Sequence, residues 1–104
     1  MTMQELFSAP STWTQKAYAR NRKGQATETC SPDAVSWCVL AGLSKCHAED
    51  YGQYVKKARA IAGYIEKGGV DLASWERRLL IIQWADSPLR TFADIRKLVE
   101  SLNI

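Results

Sequence analysis

The sequence is poor in the residues that usually advertise chemistry. Its 104 residues include one histidine, three cysteines and three prolines. It contains no Gly-rich phosphate loop, no catalytic triad pattern, no paired-carboxylate motif and no H-E-x-x-H helix. An enzyme therefore has no positive case in these residues. No stretch approaches the ~18 consecutive apolar residues of a membrane span. The N-terminal segment "MTMQELFSAPSTW" has neither a positively charged start nor a continuous apolar run, so it does not read as a signal peptide. A cytoplasmic setting with reduced thiols is the expectation. No internal repeat or low-complexity tract divides the chain, which predicts one domain over residues 1–104.

What is present suits a small globular protein. The hydrophobic fraction is 46% and the charged fraction 24%, which supports one modest core and argues against disorder. Four tryptophans are many for this length. Most belong in a core, but one or more could anchor a partner. The net charge of +3 is compatible with nucleic acid or an acidic protein and diagnostic of neither.

Residues Gln4 to Phe7 predict a short helical turn, interrupted by Ala9-Pro10. From Trp13 onward, Trp13, Gln15, Ala17 and Ala19 alternate with Thr14, Lys16, Tyr18 and Arg20. That period of two, followed by "NRKG", predicts a β-hairpin with Gly24 at a positive-φ position. Helix signals then dominate. Ser31 as N-cap, Pro32 at the first position and Asp33 in the first turn predict a central helix over about 32–46. A second helix is expected from Asp50 to Lys67, stopped by Gly68-Gly69, with a stripe of Tyr51, Tyr54, Val55, Ala58, Ile61, Ala62 and Ile65. A third begins near Asp71 or Ser74, includes Trp75, Leu79, Ile82 and Trp84, and stops at Asp86-Ser87-Pro88. The last opens at Thr91 with Asp94 three residues on, and buries Phe92, Ile95, Leu98, Val99 and Leu102.

The stretch "CSPDAVSWCVLAGLSKCH" holds every cysteine and the histidine. Cys30, Cys38 and Cys46 are spaced by eight. On a helix, eight residues rise ~12 Å and turn ~80°. Cys38 and Cys46 therefore cannot share a metal or form a disulfide. His47 lies too far along the helix to serve Cys38 as a base. No metal and no cofactor are expected. Cys38 reads as a small core hydrophobe within a helix apolar nearly all round. Gly42 would allow a neighbouring backbone to approach. His47 reads as a surface or helix C-terminal residue.

Two other groupings carry candidate function. Lys16, Tyr18, Arg20, Arg22 and Lys23 form a basic hairpin that could engage a partner, including nucleic acid. The same charges could instead be a solvated edge that discourages aggregation. Trp84, Asp86 and Arg90 sit at an inter-helix corner, where they either fix the turn or line a small cleft.

The segments "WTQKAYARNRKGQ", "DAVSWCVLAGL" and "WADSPLRTFADI" resemble a family of small bacterial and phage proteins known only as a domain of unknown function. The matching residues are Trp13, Gly24, Ala34, Trp37, Cys38, Trp84, Asp86, Arg90 and Thr91. Gly42 stands one place from the family glycine, and Ala85 replaces the usual asparagine. The resemblance implies helices plus a hairpin and a phage or mobile-element setting. It implies no activity.

The expected fold is α+β, with an N-terminal hairpin packed on about four helices. The leading functional expectation is a non-enzymatic binding protein. It would be phage- or prophage-encoded and engage a host protein or protein–nucleic-acid complex, for example as an anti-CRISPR-type inhibitor. The other expectation is a small ligand-binding domain or enzyme using the Trp84/Asp86/Arg90 cleft. No membrane partner is expected, and either a monomer or a homodimer suits the sequence.

Overall fold

The computed structural model describes residues Met1–Ile104. Five α-helices and a small antiparallel sheet make it an α+β fold with a helical majority. The elements are α1 (Met3–Leu6), β1 (Ala19–Arg20), β2 (Ala26–Thr27), β3 (Ser36–Trp37), α2 (Val39–Cys46), α3 (Tyr51–Ile65), α4 (Ser74–Ala85) and α5 (Phe92–Leu102). Single 3-10 turns lie at Pro10–Thr12 and Gly69–Asp71. No helix is long and apolar enough to cross a membrane.

The hairpin forms where the turn chemistry places it. Gly24 has φ +78°, which side-chain-bearing residues adopt at a cost. Asn21 Oδ1 accepts from the N–H groups of Lys23 and Gln25 at 3.0 and 3.1 Å, locking the turn. The strands are only two residues each, so most of the alternating stretch from Trp13 to Tyr18 is not strand. Lys16 is the reason: its φ of +62° breaks the extended backbone.

The central helix is present but begins later than expected. It starts at Val39, with Cys38 as its N-cap. Residues 32–38 instead make a turn and then β3. Ser31 O accepts from Ala34 N–H at 3.1 Å, and Ser31 Oγ from Asp33 N–H at 3.3 Å. These bonds close a local turn rather than a helix, since Ser-Pro-Asp chemistry serves both. β3 then pairs with β1, giving the order β2-β1-β3 with Ala19 opposite both Thr27 and Trp37. Backbone bonds from Val35 N–H to Arg20 O and from Cys38 N–H to Tyr18 O, both 2.9 Å, extend that ladder. A lone hairpin is marginal in water. This one gains a third strand and buries Ala19 completely.

The core joins α1, α2, α5 and the inner faces of α3 and α4. Phe7, Leu43, Ile61, Ile81, Ile95 and Leu98 are fully buried within it. Each such side chain contributes roughly 1.5–3 kcal/mol of transfer free energy. Gly42 admits a side chain, not a backbone: a Cβ there would lie 2.5 Å from the Phe7 ring. α3 is capped by Asp50 and followed by Gly68 in the left-handed region, as its sequence predicts. Its first stripe residue, Tyr51, is instead exposed and stacks on Tyr54. α5 is closed by a reciprocal cap between Thr91 and Asp94.

On α4 the buried face is Arg77, Ile81 and Ala85. Trp75 and Leu79, grouped with Ile82 from the sequence, point outward. Arg77 is accommodated because its Nη1 donates to Leu72 O at 3.1 Å while its stem packs inside.

Candidate functional site

The basic hairpin does not present all its charge. Arg20 is half-buried and turned inward. Its Nε donates to Thr14 Oγ1 at 2.9 Å, Nη1 to Gly24 O at 3.0 Å and Nη2 to Gln15 O at 3.2 Å. It clamps the turn to the preceding segment, so it is a structural residue in this fold. Lys16, Arg22 and Lys23 remain exposed. Tyr18 projects beside them, 52% exposed. Arg22 and Lys23 border a hollow that also contains Asp33, which offsets part of their charge.

The corner residues separate into two groups. Arg90 lies over the Trp84 ring, its Cζ 4.0 Å from the ring centroid, and its Nε donates to Trp84 O at 2.8 Å. Its Nη1 is 3.8 Å from Asp94 Oδ2. Asp86 faces the hairpin instead, and its Oδ1 accepts from Lys16 N–H at 2.9 Å. Gln15 adds a second tie, donating from Nε2 to Ala85 O at 2.7 Å and Ser87 O at 3.0 Å. Trp84, Asp86 and Arg90 therefore do not surround one cavity. The corner is stapled to the segment ahead of β1.

That staple frames a cleft of about 400 Å³ between the hairpin and α4. Ala17, Cys38, Leu40, Ile82 and Ala85 make its apolar wall, with Lys16, Tyr18 and Asp86 also bordering it. Cys38 is buried, and its Sγ accepts from Ala41 N–H at 3.4 Å at the start of α2. Burial pushes this thiol above its ordinary pKa, against a smaller opposing pull from that N–H. The group is thus held as a neutral thiol, suited to packing rather than attack. A second cleft of about 290 Å³ adjoins the first, with Tyr18 and Leu40 on both walls. Sequence reasoning missed both clefts. Ile82 and Leu40 carried only a core signal, and Cys38 was placed inside a helix rather than at its mouth.

Elsewhere, His47 is the C-cap of α2, and its Nε2 lies 2.9 Å from Lys57 Nζ. Burial and then the Lys57 charge lower its pKa. The three cysteines are separate free thiols, and no three His, Cys, Asp or Glu side chains converge as a metal site would require.

A family model described as "Family of unknown function (DUF6197)" matches residues 3–102. The chain belongs to the DUF6197 family. This agrees with the domain-of-unknown-function resemblance carried by Trp13, Gly24, Trp37, Cys38, Trp84, Asp86 and Arg90. No curated protein and no solved structure matches the chain. In this DUF6197 member several resemblance residues are framework. Gly24 makes the turn, Trp37 donates from Nε1 to Thr29 O at 3.0 Å, and Arg90 clamps Trp84.

Proposed function

We propose that this protein is a non-enzymatic binding protein that engages a host protein through the hairpin face and the apolar cleft beside it. The observation that carries this reading is the 400 Å³ apolar cleft with Tyr18 and Lys16 at its border. An amphipathic aromatic beside an apolar hollow is what a protein hot spot needs. A phage- or prophage-encoded inhibitor of a host defence complex, of the anti-CRISPR type, is a concrete form of this reading. Small size and the lack of catalytic motifs support that form.

A protein partner is favoured over nucleic acid because Arg20 is occupied internally and Asp33 stands beside Arg22 and Lys23. The exposed hairpin cations that remain are few for tracking phosphates. The test is affinity capture from bacterial lysate with wild type, Tyr18→Ala and Arg22→Glu/Lys23→Glu proteins. A partner retained by wild type and lost by the variants supports the reading. Equal retention by all three would count against it, and so would no specific partner for any. Nucleic-acid binding, if seen, should weaken steeply with salt.

The cleft volume also suits a small apolar ligand, the second reading. Native mass spectrometry of protein purified from bacterial cytosol tests it. A stoichiometric small-molecule adduct would favour that reading over the first.

A further inference from the structure

Two clefts meet along one flank of α4. Arg78 lines the smaller, of about 290 Å³, and Ile82 and Ala85 line the larger, of about 400 Å³. These positions fall at i, i+4 and i+7, so they share a face of the helix and span a rise of roughly 10 Å. Tyr18 and Leu40 stand on the walls of both. The two hollows differ in chemistry. The larger is walled by Ala17, Cys38, Leu40, Ile82 and Ala85. The smaller gathers Arg78 with the hydroxyls of Tyr18, Thr29, Ser44 and Tyr54. Burial raises the Tyr54 pKa against the pull of the Arg78 charge, so its phenol stands there as an O–H donor.

Arg78 differs from the other arginines in its surroundings. Arg20, Arg77, Arg90 and Arg96 each donate to an acceptor of the chain. That leaves Arg22, Arg59 and Arg78. The hollow at Arg22 contains Asp33, and the one at Arg59 contains Asp71. The cleft at Arg78 contains no carboxylate. A guanidinium with hydroxyls beside it and no acid favours an anionic group, and its planar fork matches a carboxylate. Asp86 borders the larger cleft ~12 Å further along the helix axis, where Lys16 offsets its charge. The positive end of the paired clefts is therefore Arg78.

We propose that the paired clefts bind a small amphipathic carboxylate of the fatty-acid type. Its carboxylate sits at Arg78 among the hydroxyls, and its alkyl tail passes Tyr18 and Leu40 into the apolar cleft. The proposal rests on the small-ligand reading of that cleft and names the ligand class. The larger hollow lies within the usual range of small-molecule sites, roughly 300–1,000 Å³. An anion without a tail would fill only the smaller hollow. An alkyl cation would bring its charge against Arg78.

The test is calorimetric titration of the whole protein with decanoate, decanol and decylammonium. Decanoate should bind with one-to-one stoichiometry. Decanol should bind at least about tenfold more weakly, since it lacks the charge-assisted bonds, and decylammonium more weakly still. Arg78→Gln should weaken decanoate at least about tenfold and leave decanol unchanged. Arg59→Gln, in a different hollow, should change neither. Ala17→Phe, which fills the apolar cleft, should weaken both. Matching thermal melts verify that the variants fold. Decanol or decylammonium binding as tightly as decanoate would overturn the carboxylate assignment and keep the small-ligand reading. Decanoate affinity unchanged by Arg78→Gln, or lowered equally by Arg59→Gln, would overturn the proposal. No saturable binding by any of the probes would also overturn it. The small-ligand reading would then be decided separately, by the adduct sought in native mass spectrometry.

Discussion

Two ends of this molecule treat their surface groups in opposite ways. At the α1–α5 end, several polar groups are tied down within the chain. Arg96 donates from Nη1 to Gln4 O at 2.8 Å and Phe7 O at 3.1 Å, while Nη2 meets Glu100 Oε1 at 2.6 Å. Met3 N–H donates to Ile104 O at 2.7 Å, and Phe7 fills the space above Gly42. At the hairpin–α4 end, Arg78 has no ion-pair partner, Trp75 and Leu79 face outward, and two clefts stand open. The difference separates residues that hold the fold from residues free to serve something else. Arg96 and Arg78 are the same side chain in opposite settings, one bound to two carbonyls and a carboxylate and the other without an ion-pair partner.

That contrast can be broken by stability measurements. The largest effect is expected from Phe7→Ala, which empties the fully buried contact over Gly42 and should cost about 3–5 kcal/mol in denaturant unfolding. A loss below about 1 kcal/mol would mean the closed end is not closed. Arg96→Met keeps the stem but abandons two carbonyls, and should cost about 1–3 kcal/mol. Thr91→Ala removes the cap of α5 and should cost about 1 kcal/mol. Trp75→Ala should change stability by no more than about 0.5 kcal/mol, although tryptophan is the largest side chain. If Trp75→Ala destabilised as much as Phe7→Ala, the open face would be part of the core and the comparison would fail.

The smallest effect concerns acid. Asp94 accepts from Thr91 N–H at 2.9 Å, and that backbone bond is the main reason its pKa falls below the ordinary carboxylate value. A folded pKa below the unfolded one means stability present at neutral pH and lost as pH drops below about 4. Asp94→Asn should therefore flatten the acid limb of the stability curve. Superimposable acid limbs for wild type and variant would refute this.

The locally encoded features were legible in the sequence at both ends, and those set by long-range packing were not. Thr91-x-x-Asp94, Asp50, Gly24 and Gly68 act within a few residues of themselves, so their signals survive without tertiary context. Ser31-Pro32-Asp33 failed as a helix start because the same residues close a turn, and β3 then paired with β1, sixteen residues back from Ser36 to Arg20. Pairing at that range leaves no local mark. Arg20 read as free charge because its acceptors are backbone carbonyls, which every residue has. Trp75, Leu79 and Ile82 share helical spacing, which by itself does not say which side of α4 is buried. Only the packing of Ile81 and Ala85 decides which side of α4 turns inward.

The bond between Met3 and Ile104 has one more consequence. The first and last segments of the chain touch, so a brief linker could join them into a ring. New ends could then be opened at the exposed Lys23–Gly24 turn without drawing any helix out of place. Such a circularly permuted form would leave the α4 ridge undisturbed while shifting every label or fusion to the far side of the molecule.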